Sequence, residues 1–338
     1  MKEALLYEKL ENKSVHCYLC NHHCNIAENS FGFCGVRENR GGVLYSNTYG
    51  KIIACNVDPI EKKPLYHFLP GSASFSIAAA GCNFRCGFCQ NWEISQVQAK
   101  GEVALGQDFL PSDVIRGAIK NNCKSISYTY TEPTIFFEYA LTTAKIAKEN
   151  NISNVFVTNG YMSKECLKMI APYLAAANVD LKFFNDQSYN QICKAKLAPV
   201  LESIKLMHEL GVWLEITTLI IPKHNDSDEE LSNIAAFIAK LDKNIPWHVS
   251  GFHPDYKFKD SDPTSDEILK KAQKIGIKAG LNFVYAGNVF GWGSDTVCPA
   301  CKETIIKREG FTILKYNIKK GSCGFCSQAI PGVFSIKK

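Results

Sequence analysis

The chain has 338 residues, 46% of them hydrophobic, with 38 basic and 33 acidic side chains and a formal charge of +5. That length buries one large core with small satellites, and so slight a basic excess leaves no electrostatic footprint for nucleic acid as a main partner. The N-terminus, MKEALLYEKLENKS, alternates charged and apolar residues where a signal peptide is unbroken, and no run approaches the roughly 20 apolar residues that cross a bilayer, so a cytoplasmic chain without a membrane partner is expected.

Fifteen cysteines are the strongest compositional signal, and eleven of them fall in three groups at short spacing. In a chain this long without an export signal, such groups read as metal ligands rather than disulfides. The first group, Cys17, Cys20, Cys24 and Cys34, lies in an expected cysteine-rich module over residues 1–70. Four thiolates suit one zinc, with His16, His22 or His23 as substitutes, and equally suit an auxiliary iron–sulfur cluster. The same module continues into GGVLYSNTYGKIIACNVDPIEKKPLYHFLPG, a glycine-bounded series of strands and turns.

From about residue 74 to residue 290, short β-branched runs alternate with longer stretches whose apolar residues recur every three or four positions. SFSIAAAG, SISYTYT, NVFVTNG, NVDLKFF, WLEITTLIIP, HVSGFHP and NFVYAGN read as strands. PSDVIRGAIKNN, TIFFEYALTTAKIAKEN, SKECLKMIAPYLAA and SDEELSNIAAFIAKLDK read as helices between them. Strand then helix, repeated, means parallel strands joined by right-handed crossovers. The expected fold is therefore α/β, a partial or full parallel β/α (TIM-like) barrel of six to seven strands over residues 71–293, flanked by small N- and C-terminal metal modules. In such a barrel the residues after each strand converge on one face. Those residues are Thr129, Thr131 and Glu132; Thr158 and Asn159; Asp180 and Lys182; Glu215 and Thr217; His253; and Asn288. The DPIEKKPLYHF run before the first barrel strand is either a solvated turn or a loop over the barrel mouth, with Asp58, Glu61 or His67 toward substrate.

Just after the first of these strands, GCNFRCGFCQNW offers Cys82, Cys86 and Cys89. A structural zinc takes four ligands, so this loop falls one short. A cubane [4Fe-4S] cluster held by three thiolates instead keeps one iron open for a small molecule. Phe84 and Phe88 can shield such a cluster, and Gly81 and Gly87 can let backbone amides approach the sulfurs. At the other end, over residues 294–338, Cys298, Cys301, Cys323 and Cys326 form two C-x2-C knuckles around a hairpin-like KETIIKREGFTILKYNIKKGS, the pattern of a zinc ribbon, with rubredoxin-like iron as the alternative. Cys55, Cys123, Cys166 and Cys193 are scattered and read as small buried hydrophobes.

The C-x3-C-x2-C spacing, with Phe88 before the last cysteine and a barrel around it, resembles the radical SAM enzymes. TYTEPT, VTNG and DLK resemble the branch containing the pyruvate formate-lyase activating enzyme. CYLCNHHC, GFCGVREN, ITTLIIPKHNDS and CPAC are similar to the group called AmmeMemoRadiSam system radical SAM enzymes. The resemblance implies that Cys82, Cys86 and Cys89 ligate a [4Fe-4S] cluster whose open iron binds S-adenosylmethionine, and that electron transfer cleaves the sulfonium to a 5′-deoxyadenosyl radical that abstracts hydrogen. The radical is made rather than supplied by a side chain. It also implies cofactor contacts at Phe88, at Thr131 and Glu132 in the register of a Gly-Gly-Glu-Pro motif, at Thr158 and Asn159, at Asp180 and Lys182, and at His253. An electron donor such as flavodoxin or ferredoxin is the expected partner. The substrate is expected to be a glycine on a partner protein, with a small metabolite or cofactor precursor next; an RNA substrate and a non-catalytic metal scaffold are the alternatives from other classes.

Overall fold

The computed structural model describes residues 1–97 and 106–335. At its centre is an eight-stranded sheet in chain order: β1 (Ala54–Pro59), β2 (Ala73–Ala78), β3 (Ser125–Tyr128), β4 (Ser153–Thr158), β5 (Ala176–Asp180), β6 (Trp213–Ile220), β7 (Trp247–Gly251) and β8 (Val284–Gly287). β1 runs antiparallel to β2, and from β2 to β8 every neighbouring pair is parallel. Parallel neighbours need crossovers, and six helices supply them: α1 (Pro111–Lys120), α2 (Phe137–Glu149), α3 (Lys164–Ile170), α4 (Leu197–Glu209), α5 (Asp228–Asp242) and α6 (Asp266–Lys278). The result is a partial β/α barrel with edges at β1 and β8, and its seven parallel strands are the seven read from the sequence.

Local signals set the element limits. β3 is buried at all four residues, as a strand covered on both faces must be. Pro111 opens α1, while the side-chain oxygens of Ser163, Ser227 and Ser265 accept backbone N–H donors at the starts of α3, α5 and α6. Asp228, Glu229 and Glu230 crowd the first turn of α5, where the helix dipole favours negative charge.

Residues 54–70, grouped by sequence with the N-terminal module, belong to the barrel. β1 pairs along β2 over six residues, and the stretch after it turns back beneath the sheet. Ile60, Leu65 and Phe68 are fully buried and pack with Val155 and Ala176, at the lower ends of β4 and β5. The Asn178 side chain donates to the Pro64 carbonyl at 2.8 Å. Glu215, low in β6, accepts from the Tyr66 and His67 backbone N–H groups at 2.9 and 2.8 Å and from His248 Nε2 at 2.7 Å. This run is therefore a plug in the floor of the barrel, not a cover for its mouth. Glu61 and His67 serve that floor: Glu61 accepts from the Gly71 N–H, and His67 bonds the Tyr285 hydroxyl and the Pro331 carbonyl. Glu215 is likewise a floor residue rather than one of the converging strand-end groups.

The C-terminal residues form a hairpin of β9 (Thr304–Glu309) and β10 (Thr312–Tyr316), seated under the same floor. Arg308, 5% exposed, donates to the Tyr66 carbonyl and to Thr296, and its guanidinium lies 4.4 Å from the Tyr66 ring centroid. At the N-terminus, strands Val15–Cys17 and Cys24–Ile26 pair in one small sheet and Arg37–Arg40 and Val43–Ser46 in another. This module packs on the upper face of the barrel: the Cys20 backbone bridges Met162, and Arg37 forms a fully buried ion pair with Glu138 of α2.

Candidate active site

At the upper ends of the parallel strands lies a cavity of about 560 Å³. That is within the range of small-molecule and cofactor sites. Each successive strand end supplies wall residues: Cys82, Cys86, Phe88 and Cys89 after β2; Thr131 and Glu132 after β3; Thr158 and Asn159 at the end of β4; Asp180 and Lys182 from β5; Thr217 from β6; Ser250 from β7; and Asn288 after β8. The floor contributes Lys62, Lys63 and Pro64, and the hairpin turn contributes Phe311.

The three cysteines sit on a loop bound tightly from several sides. Gly81 holds φ at +100°, and a Cβ there would lie 2.8 Å from Val36 and 3.0 Å from the Cys34 carbonyl, so the glycine is needed for both conformation and approach. Arg85 donates to the Cys82 carbonyl at 2.8 Å and to the Phe33 carbonyl, fastening the loop to the N-terminal module. The loop after β7 presses on its other side, with Phe258 6.0 Å from the Phe88 ring and the Lys257 N–H donating to the Gly87 carbonyl. A backbone amide does approach a sulfur, the Phe84 N–H donating to Cys82 Sγ at 3.3 Å, and Ser95 Oγ lies 3.2 Å from Cys89 Sγ. Phe84 and Phe88 are buried at 1% and 3% exposure beside them. Burial raises the Cys82 and Cys89 thiols above their ordinary value, and contact with Cys193 followed by burial does the same for Cys86. Without metal the three stay protonated, so loading them releases protons.

Cys193 is buried as expected, but its contact with Cys86 was not read from the sequence. Its Sγ lies 3.6 Å from Cys86 Sγ across 107 residues of chain, a separation that no spacing rule reads. Cys193 is fully buried in the apolar core behind Cys86, whereas Cys82, Cys86 and Cys89 face the cavity. Cys123 and Cys166 are buried as expected, but Cys55 is exposed.

Glu132 is held by its neighbours. Its Oε1 accepts from the Thr134 N–H at 3.0 Å, the Thr134 hydroxyl at 2.5 Å and Thr158 Oγ1 at 2.8 Å, and its Oε2 accepts from the Asn159 N–H at 2.8 Å. Burial raises its carboxyl, against the pull of these donors. Asn159 in turn donates to Asn83 Oδ1 at 2.8 Å and approaches Cys82 Sγ at 3.9 Å. Thr131 Oγ1 donates to the Ala79 carbonyl at 2.7 Å. Just before it, Tyr130 adopts φ +64°, the left-handed region that glycine enters freely. Lys182 pairs with Asp180 at 2.8 Å, and its ammonium lies 5.7 Å from the Phe88 ring centroid. Burial opposes the charge on Lys182, but the Asp180 carboxylate holds its pKa well above the lysine value. His253 stands apart, exposed at the rim, where it accepts from the Gln90 side chain at 2.7 Å. Asp58 pairs with Lys62 and Lys63 at 2.9 and 2.7 Å and accepts from the Tyr130 hydroxyl.

The thiol sets differ in spacing. Among the described residues, Cys298, Cys301, Cys323 and Cys326 are the group whose ligand atoms all lie within 4.8 Å of one another. Cys298 to Cys326 and Cys301 to Cys323 are each 3.7 Å. Four sulfurs about 2.3 Å from one tetrahedral ion stand about 3.8 Å apart, so this knuckle pair fits a single metal ion. Cys82, Cys86 and Cys89 share one cavity wall without meeting that limit, as thiolates on different irons of one cluster must.

The sequence model of the radical SAM superfamily matches residues 76–238, from inside β2 through most of α5. The chain carries a radical SAM domain. Over 334 residues it is 45% identical to an uncharacterized protein of Methanocaldococcus jannaschii, covering 98% of this chain and 99% of that one. It is 24% identical over 214 residues to the pyruvate formate-lyase-activating enzyme of Clostridium pasteurianum, covering 57% of this chain and 86% of that enzyme. In fold it is similar to a radical SAM methyltransferase from Sphaerobacter thermophilus, with a TM-score of 0.51 at 16% identity, over 65% of this chain and 67% of that one. The radical SAM family and the α/β barrel, both read from the sequence, stand. No helix among the described residues is long and apolar enough to cross a membrane.

Proposed function

We propose that Cys82, Cys86 and Cys89 hold a catalytic [4Fe-4S] cluster in the strand-end cavity, with S-adenosylmethionine bound beside it. The observation that carries this reading is the cavity wall: three thiols face a space large enough for a cofactor, while the nearest fourth cysteine, Cys193, lies behind Cys86 in the core. When bound, the pair supplies one-electron cleavage of the sulfonium and a 5′-deoxyadenosyl radical for hydrogen abstraction. Lys182 sets a fixed positive charge beside the Cys86 thiolate. Asp180, Thr158 and Asn159 offer polar atoms to the cofactor, Thr131 and Glu132 fix the backbone around it, and Phe88 keeps water from the cluster. His253, at the rim, meets a cofactor only through Gln90. The reductant is a low-potential electron donor such as a flavodoxin or ferredoxin, and zinc is the ion for the C-terminal knuckles.

The hydrogen donor in this reading is a glycine of a partner protein, in keeping with similarity to an activating enzyme along the barrel. A small metabolite is the second reading, favoured by the plugged floor, which closes the cavity below. The test is anaerobic reconstitution, reduction with dithionite and assay for 5′-deoxyadenosine. Wild-type protein should form it and Cys86→Ala should not; equal yields from both would end the proposal. Deuterium carried into the product from a labelled peptide or metabolite then separates the two substrates.

A further inference from the structure

We propose that Cys193 donates a hydrogen bond to the Cys86 sulfur and is a positioning residue that raises the reduction potential of the cavity cluster, an inference that rests on the proposed function for the cluster itself. Each cavity cysteine has a hydrogen-bonding partner at its sulfur. The Phe84 N–H meets Cys82 at 3.3 Å, the Ser95 hydroxyl lies 3.2 Å from Cys89, and the Cys193 thiol lies 3.6 Å from Cys86. Cys86 and Cys193 are 7% and 0% exposed, so water does not stand in for Cys193. Among the described residues the Cys193 thiol has Cys86 as its one hydrogen-bond partner.

The direction of this bond follows from the chemistry of the pair. A thiol is a weak donor and its sulfur a weak acceptor, so with both cysteines protonated either can give the hydrogen. Cys86 bound to iron is a thiolate with no proton left to give. Cys193 then carries the one hydrogen between the two sulfurs, and turning it away would set two lone pairs against each other in a dry site. Charge on the ligand sulfurs grows when the cluster takes up an electron, so a donor at Cys86 favours the reduced state.

The chain around Cys193 holds it in this place. Tyr189–Cys193 form a single π-helical turn, a conformation frequent at functional sites. Lys194 ends the turn in the left-handed region at φ +58°, and the Ala195 N–H donates back to the Tyr189 carbonyl at 3.1 Å. From this turn the Cys193 carbonyl accepts the Arg85 N–H at 2.9 Å, and the Tyr189 hydroxyl accepts the Lys182 N–H at 3.1 Å. The turn thus grips the cysteine loop by its main chain as well as by the thiol. That main-chain bond is open to any side chain at position 193, so a substitution there isolates the thiol. A buried cysteine acting only as a small hydrophobe would leave the potential unmoved.

The experiment is an anaerobic redox titration followed by electron paramagnetic resonance, on reconstituted wild type, Cys193→Ser, Cys193→Ala and Cys193→Val. The signal read is the reduced-cluster signal that Cys86→Ala lacks. Serine keeps a donor and should titrate with the wild type. Alanine should be harder to reduce, with a reduction constant roughly threefold to tenfold lower, about 30–60 mV for one electron. Valine, near cysteine in volume and without a donor, should match alanine, and it carries the comparison if the alanine gap hinders cluster loading. Equal potentials in all four proteins overturn the proposal, as does a serine value that falls with alanine and valine. Both of those results leave the cluster and the proposed function in place. A wild type that gives neither this signal nor 5′-deoxyadenosine sinks the proposed function and the donor role with it.

Discussion

Asp58 carries more of the site's stability than its position in a charged run suggests. Burial raises its carboxyl, but hydrogen bonds from Lys63, Tyr130 and Lys62 hold it well below the usual carboxylate range. Lys63 is 2% exposed, so removing its partner strands a buried ammonium. Asp58→Asn should destabilise the protein by about 3–5 kcal/mol. Thermal denaturation should show part of this restored in the double variant Asp58→Asn, Lys63→Met; additive losses would mean that the pair is not coupled. At this scale the sequence was legible where residues cooperate over short spans. The C-terminal cysteine group is such a case, because two C-x2-C knuckles impose a spacing and the structure brings their four sulfurs within 4.8 Å of one another. The Cys86 to Cys193 contact and the Asp58 to Tyr130 bond were not, because each joins distant parts of the chain through tertiary packing alone.

Strand ends, taken as elements, were legible through their alternation with helices, and the structure brings all but two of the named groups to one cavity. Glu215 went astray because a polar residue near a strand's start and one near its end look alike without the strand's limits. His253 belongs to the loop after β7, which leaves the cavity for the cluster loop. Glu132 shows what strand ends do for each other: one carboxylate receives four donors from the segments after β3 and β4. Glu132→Gln sets an amide N–H against at least one of these donors, a loss of about 1–3 kcal/mol. Its melting temperature should fall together with its affinity for S-adenosylmethionine. Weaker binding at an unchanged melting temperature would instead mark Glu132 as a direct contact of the cofactor and not a frame for it.

For the whole molecule, the floor ties the plug, the barrel and the C-terminal hairpin together through buried polar groups. Burial lowers the His67 pKa to about 4, opposed by the Glu215 charge. An unfolded histidine titrates near 6.5, so between these values the unfolded chain binds the extra proton. The His67 contribution is fully present above about pH 6.5 and is lost as pH falls to about 4, roughly 3 kcal/mol in all. Melting temperatures across this range should slope more steeply for the wild type than for His67→Gln; parallel slopes would remove His67 as the cause. Chelation of the knuckle metal should open residues 294–335 to protease while the barrel resists. Unchanged cleavage would show that Arg308 and its neighbours hold the hairpin without metal. None of this floor was legible beforehand, since a charged run with two prolines reads as solvated until the strands around it are in place.

The plug has a kinetic consequence. A vessel stoppered below fills and empties through its rim, so cofactor and hydrogen donor share one way in. The donor in excess should therefore slow cofactor entry, giving substrate inhibition that added cofactor relieves.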